Sequence, residues 1–140
     1  MSLAVAKMVN RAFEDSDDAV LFGECRALLE SFVRNNFVSL RWDPDQEVPA
    51  NLARVKPPGL YVFDFRSKGD DGGIRVFGCF AAKDQFVALK WEYRTFVDWD
   101  ADPKDCLKQW ADLFGFAPPF LGRDPNDYLS SNYRIARADR

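Results

Sequence analysis

The sequence predicts an α+β domain whose centre is an antiparallel sheet of three to four strands. Three observations predict it. Three β-rich runs, Leu60–Arg66, Ile74–Phe80 and Phe86–Trp91, follow one another across short, turn-rich loops, and consecutive strands usually pair, so a meander over residues 60–91 is the economical topology. An amphipathic stretch precedes these runs at Asp17–Asn35, and a capped apolar stretch follows at Pro103–Phe114. The chain is 47% hydrophobic and 15% aromatic, which is enough for a sizeable core, because each ring buries roughly 150–250 Å². Its 140 residues fit a single domain. That domain divides into a helical N-terminal part (1–58), the sheet (59–96) and a helical C-terminal extension (97–140).

The elements follow in order. Lys7, Asn10 and Arg11 interrupt the apolar stretch of Met1–Phe13, which lacks the features of a signal peptide; Ser2-Leu3 are given no structural weight. No run approaches the ~18 apolar residues of a membrane span, so a cytoplasmic protein without membrane association is expected. The first helix is expected at Asp17–Asn35. Ser16 or Asp15 serves as N-cap, Asp17 and Asp18 lie at the positive end of the dipole, and Leu21, Cys25, Leu28, Leu29 and Phe32 form one stripe. Phe37–Trp42 alternates weakly, as a short strand would. Asp43–Pro58 holds four prolines and reads as an irregular connection.

In the meander, Ser67–Gly73 and Ala81–Gln85 supply the turns. Alternation puts Tyr61, Phe63 and Phe65 on one face of the first strand, and Leu60, Val62, Asp64 and Arg66 on the other. In the second strand, Arg75, Phe77 and Cys79 oppose Ile74, Val76 and Phe80. Both faces carry apolar residues, so helices should cover one face and part of the other. For the helix at Pro103–Phe114, Asp102 is the expected N-cap, with Pro103 at N1, Asp105 at N3 and Gly115 just past the end. Asp124-Pro125-Asn126-Asp127 repeats that start and is expected to open a third helix over Pro125–Ala136.

The chain has no histidine, which removes Ser-His-Asp and Cys-His catalysis and any histidine-ligated metal site within the chain. Cys25, Cys79 and Cys106 are odd in number, lie far apart and sit in apolar patterns, as buried thiols do. Neither a metal nor any other cofactor is expected. Net charge is −3, but residues 54–94 hold eight Lys/Arg against five Asp/Glu, a local excess suited to a focused anion site. Arg66, Lys68, Arg75, Lys90 and Arg94 can converge on one edge of a meander, with Tyr93 among them. Guanidiniums suit phosphate, and a tyrosine can stack on a base or donate a proton. The same charges also suit a solvated face pairing with Asp64, Asp84 and Glu92. Lys68–Gly73 reads as a hairpin loop, because no helix follows it and Asp70 and Asp71 would repel an anion. Asp98, Asp100 and Asp102 lack calcium-loop spacing and suit helix capping. Trp99, Trp110, Phe114, Phe116 and Phe120 suit a core first and a docking patch second.

Leu60-Tyr-Val-Phe-Asp-Phe-Arg66, Gly73-Ile-Arg-Val-Phe77 and Gln85-Phe-Val-Ala-Leu-Lys90 resemble the strands of the RelE/ParE toxin superfamily, including its HigB-like and phage-associated branches. The resemblance covers roughly residues 50–96. It implies a metal-independent RNA-cleaving toxin or an inactive relative, with RNA or the ribosome and an antitoxin protein as partners. Arg75 carries over as the strand arginine, and Arg66, Lys90 and Tyr93 as neighbouring catalytic groups. In that scheme a 2′-hydroxyl attacks the adjacent phosphate, Arg75 and Arg66 stabilise the phosphorane, and Tyr93 or Lys90 moves protons; Lys68 and Arg94 contact the nucleic acid. The chain departs from the family in its sequence pI of about 5.0, its long N-terminal part, its C-terminal extension and Asp64, which stands where members carry a basic residue. The alternative reading is a noncatalytic protein-interaction module of phage or plasmid origin, resting on the acidic ends and the aromatic C-terminal third.

Overall fold

A computed structural model describes residues 1–11, 19–57, 61–67, 72–130 and 132–137. The expected caps at Asp15 to Asp18, the strand residue Leu60 and the loop residues 68–71, Lys68 included, lie outside them. Helix α1 (Leu3–Asn10) and helix α2 (Ala19–Val33) precede strands β1 (Val38–Arg41), β2 (Leu52–Arg54), β3 (Val62–Arg66), β4 (Ile74–Ala82) and β5 (Gln85–Tyr93). Helix α3 (Ala101–Phe114), the short helix α4 (Pro125–Tyr128) and strand β6 (Tyr133–Ile135) complete the chain.

The α+β class and the β3-β4-β5 meander are as expected. The sheet is wider than three or four strands, however, and it is mixed. Its order is β5-β4-β3-β2-β1-β6, with β1 parallel to both β2 and β6. The two unexpected strands have separate causes. Within the proline-bearing connection, Leu52 and Ala53 are fully buried and find ladder partners on both sides, in β1 and β3. Near the C-terminus, the helix expected over Pro125–Ala136 stops at Tyr128, because Leu129 is already extended. Asn132 then takes a left-handed φ of 54° and accepts from the Val38 N–H at 2.8 Å, which aligns Tyr133–Ile135 beside β1.

Helix α1 is a second correction, since Ser2 has a structural role. Its hydroxyl caps the helix by accepting from the Val5 N–H, and its own N–H reaches the Ala88 carbonyl of β5 at 2.7 Å. Val5, Met8 and Val9 are thereby buried against the sheet.

The two faces divide as alternation predicts. Phe63, Phe65, Ile74, Val76 and Phe80 face α1 and α2, with Phe22 and Tyr128. The rings there meet edge to face, Phe63 on Phe80 at 5.0 Å and Phe65 on Phe86 at 4.9 Å. Val62, Phe77, Cys79 and Leu89 face the other way, onto Cys106 and Trp110 of α3. All three cysteines are buried free thiols. Helix α3 covers only the apolar half of this second face. The charged half, bearing Asp64, Arg66 and Arg75, lies beside the crossover 42–51 that joins β1 to β2.

A bulge in β5 serves α3. Phe77 pairs with Lys90 but Gly78 with Ala88, so the extra residue Leu89 joins the α3 core directly beside Lys90. Gly78 is required at this point. A Cβ there would lie 2.1 Å from the Val87 carbonyl oxygen and 2.5 Å from the Phe86 ring. Gly78→Ala is expected to destabilise the fold by about 1–3 kcal/mol through overpacking, read as a lower urea midpoint with unchanged slope.

Candidate functional site

Strand parity and register bring Arg66 and Arg75 together. They are direct partners across β3 and β4, so both side chains project from the second face. Arg41, at the end of β1, and Arg94, just after β5, approach from either side. The Arg94 N–H donates to the Gly73 carbonyl at 3.0 Å, and its side chain lies over Gly72, where a Cβ would stand 2.6 Å from Arg94 Cδ. Gly72 therefore makes room for the aliphatic stem of Arg94 as well as the turn (φ 86°). Together these four arginines line a hollow of about 640 Å³. Pro44, Asp45, Glu47, Val48 and Pro49 of the crossover form its opposite wall, and Lys56 and Trp99 complete its rim.

Among the described residues, a single carboxylate lies beneath the guanidiniums. Asp64 is fully buried; its Oδ2 accepts from Arg66 Nε at 2.9 Å and stands 3.7 Å from Arg75 Nε. Burial raises the Asp64 pKa above the ordinary carboxylate range, against the pull of Arg66, Arg75 and Arg41. Burial, and then the Arg66 charge, lower Arg75 to about 10, while Asp64 draws it back up. Arg75 thus stays cationic at neutral pH. Its Nη1 donates to the carbonyls of Gly72 and Ile74 at 2.8 and 3.4 Å. Asp64 Oδ1, Arg75 Nε and Arg41 Nε are buried without a hydrogen-bond partner among the described residues. Such orphaned groups are uncommon in a folded interior, and here the opposite charges packed around them, Asp64 among Arg66, Arg75 and Arg41, offset part of their cost.

Trp99 is held rigidly at the rim. Asp98 Oδ1 accepts from the Asp100 and Ala101 N–H groups, both at 3.0 Å, and Asp102 Oδ2 accepts from the Asp98 N–H at 2.9 Å. Asp98 is the carboxylate that receives these first N–H groups, in place of the expected cap Asp102, and its two backbone hydrogen bonds hold its pKa below the usual range. The indole packs edge-on against Phe77 at 5.8 Å and lies 5.6 Å from the Arg66 guanidinium, with 45% of its surface exposed.

The remaining predicted site residues stand elsewhere. Lys90 shares the face but points under α3, where Asp102 Oδ1 and Asp105 Oδ2 hold its ammonium at 2.8 and 3.0 Å. Burial works to lower its pKa, but those two carboxylates outweigh it and raise it. Tyr93 is on the opposite face: it pairs with Ile74, and its ring packs against Trp91 and Phe22 at 5.2 and 6.3 Å. Lys68 lies outside the described residues. Sequence reasoning missed Arg41 and Trp99. Parity held a signal for Arg41, since Val38 and Leu40 are buried in the core with α1 and α2 and so turn Arg41 the other way. A second hollow, of about 410 Å³ between α2 and β6, is lined by Leu29, Phe32, Val33, Phe86 and Tyr133, without a charged cluster. No group of three metal-ligating side chains occurs among the described residues, and none of the described helices is long and apolar enough to cross a membrane.

Compared with known proteins, the chain matches no family model, and it has no significant match among curated proteins or solved structures.

The pairing of Arg66 with buried Asp64 has a measurable consequence. Without Arg66 the carboxylate loses its 2.9 Å partner, and its pKa rises further. A group whose folded pKa exceeds its unfolded value stabilises the fold below the unfolded pKa and loses that contribution as pH rises through the folded one. Arg66→Met is therefore expected to cost about 3 kcal/mol near pH 8, as for other broken buried pairs. The gap to the wild type should narrow as pH falls toward 5, and urea midpoints across pH check this.

Proposed function

We propose that this chain binds RNA through phosphate at the arginine hollow, as a binding-competent relative of the RelE/ParE toxins with weak or no nuclease activity. The observation that carries the reading is the convergence of Arg41, Arg66, Arg75 and Arg94 on one open hollow with the Asp64 carboxylate beneath them. Guanidiniums offer paired N–H donors to phosphate oxygens, and charge-assisted bonds of this kind are about twice as strong as neutral ones. An exposed indole beside them gives a surface on which a base can stack. The resemblance of the meander to the toxin superfamily favours RNA over other phosphate esters.

The placement of the other two proposed catalytic groups favours binding over cleavage. Lys90 is engaged by two carboxylates of α3, and Tyr93 lies across the sheet from the hollow. General acid–base work needs a group within about 3 Å of the proton it moves, and neither residue lines the hollow.

A second reading, docking of a protein partner, draws on a different surface. Leu113, Phe114 and Phe116 are exposed at the C-terminal end of α3, Phe116 completely. It predicts a stoichiometric protein complex that is insensitive to changes in the hollow.

The RNA reading is tested by titrating a short single-stranded RNA at several salt concentrations. Affinity should fall steadily as salt rises, because phosphate neutralised by arginine releases its counterions. Arg75→Ala and Arg94→Ala should each weaken binding about tenfold, the order of one charge-assisted contact, whereas Tyr93→Phe should stay within about twofold of wild type and Lys90 should tolerate glutamine equally well. Salt-independent binding, or equal losses for Arg94→Ala and Tyr93→Phe, would refute it.

A further inference from the structure

The charge balance and shape of the hollow point to its ligand more narrowly. We infer that it seats a terminal phosphate monoester, the phosphorylated end of an RNA or a free mononucleotide, rather than the internal phosphodiesters of a strand passing through. This rests on the RNA-binding reading and deepens it.

The first argument is charge. Among the described residues, five cations line the hollow. Asp45 is taken up by Lys56 and Asp64 by Arg66, which leaves Arg41, Arg75 and Arg94 facing Glu47 and, at Arg41, the charge of Asp43. The hollow thus keeps a net positive charge. A phosphate monoester carries about −1.5 to −2 at neutral pH and an internal diester one charge, so a positive hollow attracts the monoester more strongly.

The second argument is the opposite wall. A strand running through would have to carry a second phosphate past Glu47 of the crossover, where like charge opposes it. A chain end places only one phosphate in the hollow and leaves by the open side. The third argument is Trp99. Its ring stands at the rim beside Arg66, so that one nucleotide can set its phosphate among the guanidiniums and its base on the indole. The volume of about 640 Å³ lies within the ~300–1,000 Å³ of small-ligand sites.

The experiment titrates the full chain with one eight-nucleotide RNA in three forms, bearing a 5′-phosphate, a 3′-phosphate or hydroxyls at both ends. Adenosine monophosphate, adenosine and inorganic phosphate are the small probes. At least one phosphorylated form is expected to bind ten or more times more tightly than the doubly hydroxylated RNA, and adenosine monophosphate to compete where adenosine does not. Arg94→Ala should cut that preference below threefold. Trp99→Ala should weaken adenosine monophosphate about tenfold, the order of one lost base–aromatic stack, and leave inorganic phosphate unchanged, with Trp99→Phe restoring most of the loss. Equal, salt-sensitive binding of all three RNAs would overturn the terminal-phosphate inference and leave RNA binding standing. Failure of every RNA and of adenosine monophosphate to bind would overturn both.

Discussion

Asp64 is the residue around which the second face of the sheet is arranged. A carboxylate with no exposed surface in the middle of β3 is costly unless cations meet it. Arg66 from the same strand and Arg75 from the next strand meet it, one at hydrogen-bond distance and one at longer range. Their bulk and charge prevent that half of the face from being sealed by an apolar helix. Helix α3 accordingly docks where the face is apolar, on Val62, Phe77 and Leu89, and Lys90 fixes its first turn through Asp102 and Asp105. What remains beside it is closed only partly, by the crossover between β1 and β2. The hollow is thus a consequence of the charged half of this face, Asp64 with Arg66 and Arg75, which no apolar helix can seal.

The elements legible in the sequence are those specified by near neighbours. The meander needs only alternation and turn residues, and both are local. The cap of α4 is local too, and its capping box forms between Asp124 and Asp127 as the Asp-Pro-x-Asp motif implies. The elements that escaped are held by distant parts of the chain. Strand β2 exists because β1 and β3 flank it, and nothing within three residues and four nearby prolines announces a strand. Strand β6 depends on β1, almost a hundred residues earlier in the chain, with Asn132 donating to the Asn35 carbonyl to set the junction. Helix α1 depends on a hydrogen bond from Ser2 to β5. Tertiary context outweighed local pattern in each case.

The candidate site divides on the same principle. Arg66 and Arg75 meet because a short hairpin leaves them little freedom. Tyr93 was separable by parity, since Lys90, Glu92 and Arg94 alternate with Trp91 and Tyr93, and Trp91 is packed with the core around Phe22. Lys90 was not separable, because only the fold brings α3 over it. Arg41 and Trp99 enter from segments that read as a weak strand and an aromatic tail. Their part in the hollow follows from the parallel β1–β2 pairing and from the turn that Asp98 builds, neither of which leaves a sequence motif.

The composition of the hollow also bears on what it can do to a bound phosphate. Catalysis requires contacts that strengthen as the reaction proceeds, and a group that binds ground state and transition state equally lowers only the dissociation constant. Guanidiniums anchored to a buried carboxylate and to backbone carbonyls are set before the ligand arrives. They would neutralise a dianion as it enters, and the charge on a monoester changes little while it remains bound. To accelerate RNA cleavage, the same array would need a partner that moves a proton in step with the attack of the 2′-hydroxyl. The tyrosine closest in sequence to Arg94 is turned into the opposite core, and the lysine of β5 is held by two aspartates. On the proposed reading the arrangement of charge therefore suits recognition of a phosphate over its transfer: the guanidiniums are fixed by Asp64, and the two groups that would move protons, Lys90 and Tyr93, are held away from the hollow.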